Sequence, residues 1–166
     1  MFGGITYLGW FHTILGTLAI FAGIFLILRD RKIEIKNNLA KFYLISTVVT
    51  SISSLFIYNA TGSFNTAHML SILTTLVIFF VVLLHYKNFF GFLNLYLKEL
   101  ALTSTVFFSL LPTTAEFLQR LPPRNPFVES IEDPLVMKFY IFYVVIFAII
   151  AIYQVFIIYK EDVYAR

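Results

Sequence analysis

Five continuous apolar runs constrain the fold of this chain more than any other feature of its sequence. They cover residues 5–28, 42–60, 67–86, 92–111 and 135–159. A helix needs about 20 residues to cross the hydrocarbon core of a bilayer, and each run has about that length. The sequence therefore predicts an all-α integral membrane protein, a single domain over 1–166 built as a bundle of five transmembrane helices.

The composition agrees with this prediction. Of the 166 residues, 60% are hydrophobic and 13% are charged, whereas a soluble domain is nearer half apolar and a quarter charged. The chain has no cysteine, which excludes disulfides, thiolate metal sites, iron–sulfur clusters and covalently attached c-type haem. The lipid bilayer is the first partner that the sequence predicts.

The distribution of basic residues predicts the orientation. Nine lie in the loops after the first and third runs and in the tail, namely Arg29, Arg31, Lys32, Lys36, Lys41, Lys87, Lys98, Lys160 and Arg166. Three lie before or within the start of the last run, namely Arg120, Arg124 and Lys138. The positive-inside rule then places the N-terminus outside and the C-terminus inside. No basic face interleaved with aromatic residues lies outside the membrane, so nucleic acid is not a predicted partner.

The outer loop, residues 113–133, is the longest connection between the runs. Thr113 and Glu116 have the spacing of a capping box, which predicts a short amphipathic helix that the following pair of prolines ends. Asp133 and Pro134 have the character of an N-cap and a first helical residue, and they predict the start of the last span.

A histidine and three small residues share one face of the first run. Gly16, Ala19 and Gly23 follow His12 at steps of four, seven and eleven residues. On a helix these four positions lie within about 40° of one another. The first span therefore presents an imidazole beside a smooth face.

The depth of the three histidines decides which of them can share a site. On the predicted topology His12 and His68 both lie in the outer leaflet, with His12 about 8 Å deeper. His85 lies 17 residues beyond His68, roughly 25 Å away at the inner interface. His12 and His68 are therefore the pair that can act together.

This pair supports two interpretations. Two imidazoles at similar depth on neighbouring helices are what a b-type haem requires, with His12 and His68 as ligands of the iron and with Gly16, Ala19 and Gly23 as the haem face. Alternatively, small residues let helices pack closely, and histidines hydrogen-bond between helices. A proton, quinone or metal role also stays open, because an ionisable residue inside a membrane is a functional hypothesis by default.

The remaining polar residues of the spans carry no catalytic motif. The sequence lacks a G-x-S-x-G elbow, an H-E-x-x-H helix, a P-loop and paired carboxylates within the runs, so an enzyme is not favoured. Lys98 and Glu99 are expected to reach the inner interface with their charges. Hydroxyl residues form a stripe on the second run that suits either helix packing or a path for a quinone or protons.

Four motifs resemble those of a family of predicted bacterial multi-pass membrane proteins of unknown function, the 2306 group, which is similar to small cytochrome-b-like bundles. The motifs are HTILGTLAIFAGIFLILRDRK, KNNLAKFYLISTVVTSISSLFI, FNTAHMLSILTTL and FFSLLPTTAEFL, within residues 11–121. The family usually has two further histidines, where this chain has residues 36–38 and 89–91 without one. The resemblance therefore implies that only an outer site with His12 and His68 is retained.

Two functions follow from these observations. The first is a non-catalytic subunit or scaffold of a larger assembly, for example an energy-transducing one, in a bacterial or organellar inner membrane. Its expected partners are other membrane subunits or further copies of the chain. The alternative is a haem b electron carrier with His12 and His68 as axial ligands, exchanging electrons with quinol.

Overall fold

The computed structural model describes residues 5–58 and 62–164, and it confirms the all-α prediction for this part of the chain. It contains five helices: α1 (Tyr7–Asp30), α2 (Asn38–Ser54), α3 (Thr66–Tyr86), α4 (Leu93–Arg120) and α5 (Pro134–Tyr164).

Four of the helices, α1, α3, α4 and α5, are long and apolar enough to cross a membrane. The helix α2 has 17 residues, which at 1.5 Å per residue gives about 26 Å and falls short of the ~30 Å hydrocarbon core. Large apolar side chains are exposed along these helices, as at Phe21, Ile141 and Ile152. Apolar surface of this extent indicates a lipid environment.

The second helix differs from the predicted span over residues 42–60. It begins at Asn38, because the side chain of Asn37 accepts a hydrogen bond of 2.9 Å from the Leu39 N–H and caps the helix. It ends at Ser54, where serine hydroxyls donate back to carbonyls of the last turn and compete with continued helix. Residues 59 and 60 of the predicted span lie outside the described residues.

The prediction of a separate amphipathic helix before the last span is wrong. The helix α4 continues through Pro112 to Arg120, beyond the predicted end at residue 111. Thr113 does not cap a new helix, since its hydroxyl donates to the Ser109 carbonyl at 2.7 Å within α4. A proline removes one backbone hydrogen bond, but the turns that follow it keep their helical form because Ala115 and Leu118 are packed in an apolar cluster.

The start of the last helix is as predicted. Pro134 is the first residue of α5, and the Leu135 N–H donates to the Asp133 carboxylate at 2.8 Å. The third helix, Thr66–Tyr86, also agrees with the predicted span over 67–86 to within one residue. The N-termini of both helices carry residues that favour a helix start.

The chain divides into two compact units, residues 1–106 and 107–166. In the first unit α2 packs against both α1 and α3. In the second unit an apolar cluster joins the last turns of α4 to the loop and to α5 through Ala115, Leu118, Val128, Val136 and Tyr140. A hydrogen bond of 2.7 Å between the Thr114 and Tyr143 hydroxyls strengthens the second unit.

Candidate functional site

His12 joins α1 to α2. Its Nδ1 lies 3.1 Å from the Thr50 carbonyl oxygen and 3.1 Å from the Ser53 hydroxyl, and the side chain is half-buried. A carbonyl oxygen only accepts, so the bond to Thr50 requires the proton on Nδ1 and makes Nε2 the lone-pair nitrogen of the neutral ring. This is a bond between helices, and it also resembles the second-shell contact of a metal-bound histidine.

Side chains from neighbouring helices fill the small-residue face beside His12. A Cβ on Gly16 would lie 2.9 Å from Thr50 Cγ2, and a Cβ on Gly23 would lie 2.8 Å from both Tyr43 Cε2 and Val106 Cγ2. Ala19 on the same face is buried. The face that the sequence offers to a porphyrin is thus in close contact with protein in this structure.

His68 holds the start of α3. Its Nδ1 lies 3.2 Å from the Asn65 backbone nitrogen and 2.9 Å from the Asn65 side-chain oxygen, to which it donates when the ring proton is on Nδ1. The Asn65 side chain also accepts from the backbone N–H groups of Ala67 and His68. Together these bonds form a capping box, in which a polar N3 side chain reaches back to the cap. Local folding therefore accounts for one ring nitrogen of His68.

The other ring nitrogen of His68 has no such explanation. The residue is 3% exposed, and Nε2 is buried without a hydrogen-bond partner in the described part of the chain. Tyr58 and Phe64 stack on the imidazole, with ring centroids 4.8 Å and 5.2 Å from it. The imidazole thus lies between two aromatic rings, and the described residues supply Nε2 with no hydrogen-bond partner.

Both predicted ligands neighbour the C-terminal end of α2. His12 contacts its last two turns, and Tyr58, which stacks on His68, lies just beyond it. The Ser54 and Ser71 hydroxyl oxygens lie 2.6 Å apart, and this contact ties the end of α2 to α3. The structure thus brings the two histidines to one end of α2, each on a different helix packed against it.

The hydroxyl stripe of α2 forms hydrogen bonds within its own helix. The hydroxyls of Thr47 and Thr50 donate to the carbonyls of Tyr43 and Ser46 at 2.7 Å and 2.6 Å. Such back-bonding satisfies hydroxyls inside a membrane helix. The hydroxyls of Thr47 and Thr50 are therefore satisfied within α2 itself.

Tyr43 connects α2 to α4. Its hydroxyl lies 2.6 Å from Thr105 Oγ1, and the Thr105 hydroxyl itself donates to the Leu102 carbonyl at 2.6 Å. The single hydroxyl proton of Thr105 is used in that bond, so Tyr43 is the donor to Thr105. Tyr43 is fully buried, and this bond fixes the ring that fills the space at Gly23.

Glu99 is the polar residue that the sequence analysis placed wrongly. It was expected to reach the interface, yet it is 2% exposed. One carboxylate oxygen lies 3.3 Å from Lys98 Nζ, and the other is buried without a hydrogen-bond partner among the described residues. Lys32 and Glu34 lie within electrostatic range of it. In the sequence, two adjacent charged residues within the first two turns of an apolar helix are the feature that points to a buried charge at this position.

Comparison of the chain with protein-family models, with curated proteins and with solved structures finds no match. Within the described residues, no three His, Cys, Asp or Glu side chains are grouped closely enough to hold a metal ion. The function is therefore inferred from the contacts of this chain alone.

Proposed function

We propose that this protein is a non-catalytic integral membrane subunit or scaffold of a larger membrane assembly, such as an energy-transducing one. The observation that carries the proposal is that polar side chains of the helices bond to neighbouring helices. His12 bonds to α2, Tyr43 to α4 and Ser54 to α3. Interhelical hydrogen bonds and small-residue contacts hold membrane helices together, which is a structural use of these groups.

The proposal includes five spans, with the N-terminus outside and the C-terminus inside. Since α2 packs against both α1 and α3, it lies at their depth, and a helix somewhat shorter than the hydrocarbon is accommodated by local thinning of the bilayer. The basic residues of the loops support the orientation. A bacterial or organellar inner membrane is the proposed location.

The fifth helix supports the proposal of protein partners. Of its most apolar stretch, 11% is buried, against 28% in α1, 28% in α3 and 33% in α4. The apolar surface of α5 suits contact with another subunit or a second copy. Lipid covers what a partner leaves exposed.

Blue native electrophoresis of a mildly solubilised, tagged protein tests the proposal. The expected result is a band much larger than the 19.2 kDa chain plus its detergent, with defined companion subunits or copies of the chain in it. A stable monomer that elutes alone from the native membrane would contradict it. A His12→Ala variant should weaken the protein thermally without giving a spectral change.

A haem b electron carrier, exchanging electrons with quinol, is the second candidate, and the buried unpartnered Nε2 of His68 favours it. His12 would supply the other axial nitrogen, with Nδ1 held by the Thr50 carbonyl. Binding would require side chains of α2 and α4 to leave the face at Gly16 and Gly23. A reduced-minus-oxidised absorption spectrum tests whether the protein binds haem. A b-type α-band that is lost in the His12→Ala variant supports haem binding, and a flat spectrum of protein from haem-replete cells excludes it.

A further inference from the structure

An open, shallow cavity of about 360 Å³ lies at the connection between α3 and α4. Its wall combines the last turn of α3, the connecting loop and the first two turns of α4. The polar residues that line it are His85, Lys87, Asn88, Asn94 and Lys98. None of the described residues that line it is acidic, and its positive charge comes from Lys87 and from Lys98, which pairs with Glu99.

Asn94 presents an acceptor within this wall. Its Nδ2 donates to the Leu84 carbonyl at 2.7 Å, which fixes the amide against the end of α3. Its Oδ1 is buried and has no hydrogen-bond partner among the described residues. Since a buried acceptor without a donor is destabilising, a ligand hydroxyl at this position would satisfy it.

Two lysines supply the positive charge. The Lys98 ammonium group already pairs with the buried Glu99 carboxylate at 3.3 Å and is itself partly exposed. Lys87 lies at the end of α3 and is exposed, so its charge is available to an anion. A ligand that suits both lysines and Asn94 carries an anionic group and a hydroxyl donor.

The cavity lies where membrane-spanning helices end. It follows Tyr86 at the end of α3 and precedes the apolar part of α4, which the proposed topology places at the depth of lipid headgroups. We propose that this cavity binds a phosphate ester that carries free hydroxyls, with the phosphate at Lys87 and Lys98 and a hydroxyl at Asn94 Oδ1. The headgroup of phosphatidylglycerol and a soluble glycerol phosphate share this chemistry. The site is independent of the proposed scaffold role.

Binding to the purified full-length protein in a neutral detergent tests the proposal. The probes are short-chain phosphatidylglycerol, glycerol 1-phosphate and short-chain phosphatidylcholine, which has a phosphate without hydroxyls. We expect Lys87→Gln to weaken phosphatidylglycerol binding about fivefold, as expected for one lysine near an anionic surface. Lys41→Gln is the matched control, because Lys41 is exposed on α2 and does not line the cavity.

A second variant tests whether the phosphate lies beside Asn94. Asn94→Asp keeps the size of the side chain and adds a negative charge beside the phosphate, so binding should fall by more than Lys87→Gln alone causes. Binding of phosphatidylglycerol without glycerol 1-phosphate would identify a lipid as the source, and equal saturation by both would identify a soluble phosphate ester. Equal losses in Lys87→Gln and Lys41→Gln, equal binding of phosphatidylcholine, or no binding at all would overturn the proposal.

Discussion

Gly23 determines how closely α1 approaches its neighbours. An added Cβ would lie 2.8 Å from Tyr43 Cε2 and from Val106 Cγ2, and the Tyr43 ring cannot swing away because its hydroxyl is bonded to Thr105. Inserting carbon into such a contact forces shifts of side chains or backbone. The residue therefore has a measurable role in stability whether or not a cofactor binds nearby.

We predict that Gly23→Ala lowers the free energy of unfolding by about 1–3 kcal/mol. Thermal or denaturant unfolding in detergent measures the effect. Leu18→Ala is the control, since Leu18 is 51% exposed on the same helix and its truncation should have a much smaller effect. Equal stability of Gly23→Ala and the native protein would show that the contact relaxes without strain.

Lys98 and Glu99 form the other residue-scale feature with a testable consequence. The Glu99 side chain is 3% exposed and that of Lys98 is 18% exposed. Removing Lys98 leaves a carboxylate in the interior with one close partner fewer, and breaking a buried pair in this way costs about 3–5 kcal/mol. Since Lys98 is itself partly exposed, the loss should fall at or below the lower end of that range.

We therefore predict that Lys98→Ala is more destabilising than Glu99→Gln, and that the double variant recovers part of the loss. The recovery follows because the glutamine removes the charge that Lys98→Ala would leave buried. The unfolding midpoints of the native protein, the two single variants and the double variant, all measured in detergent, complete this double-mutant cycle. Additive losses in the double variant would mean that the two charges do not interact.

At the scale of elements, the third and fifth helices show how local signals set a boundary. Asn65 and His68 begin α3, and Asp133 with Pro134 begins α5. These residues satisfy the unpaired N–H groups of a first helical turn with their own side chains, so their position is evident in the sequence. The end of α4 was not evident, because packing of Ala115 and Leu118 extends the helix beyond Pro112.

The fifth helix also carries a prediction about partners. The chain has no native cysteine, so a single introduced cysteine reports unambiguously. Val144 is 65% exposed on α5. If a second copy covers α5, the Val144→Cys variant should form a disulfide-linked dimer in oxidised membranes. Leu18→Cys on α1 is the control and should stay monomeric. Failure of Val144→Cys to cross-link, with a large native complex still present, would identify different subunits as the partners.

At the scale of the whole molecule, the proposed topology predicts which loops face each side. Glu129→Cys and Asn88→Cys place cysteines at exposed residues in the loop before α5 and in the loop between α3 and α4. A membrane-impermeant maleimide applied to the outer side should label Glu129→Cys and not Asn88→Cys, while both react after the membrane is opened. The reverse pattern would invert the orientation, and outer labelling of both cysteines would place both loops on one side and exclude a membrane crossing by α4.

The candidate site was partly predictable from the sequence. Counting residues along the helices predicts that His12 and His68 lie at similar depth, and the structure places contacts of both at the C-terminal end of α2. The partners of each imidazole were not predictable. Helix rotation decides whether Gly16 and Gly23 face a cofactor or a neighbouring helix, and loose periodicity does not set that rotation.

The sequence by itself determined that the chain is helical and apolar enough for a membrane, since the length and continuity of its apolar runs require backbone bonds satisfied within each helix. It also determined the starts of α3 and α5 through side chains adjacent in the chain. Only the tertiary structure decided that Tyr43 and Thr50 fill the glycine face, that Glu99 is buried, and that Asn94 faces a basic cavity. These outcomes depend on contacts between residues far apart in sequence, whose geometry no local pattern specifies.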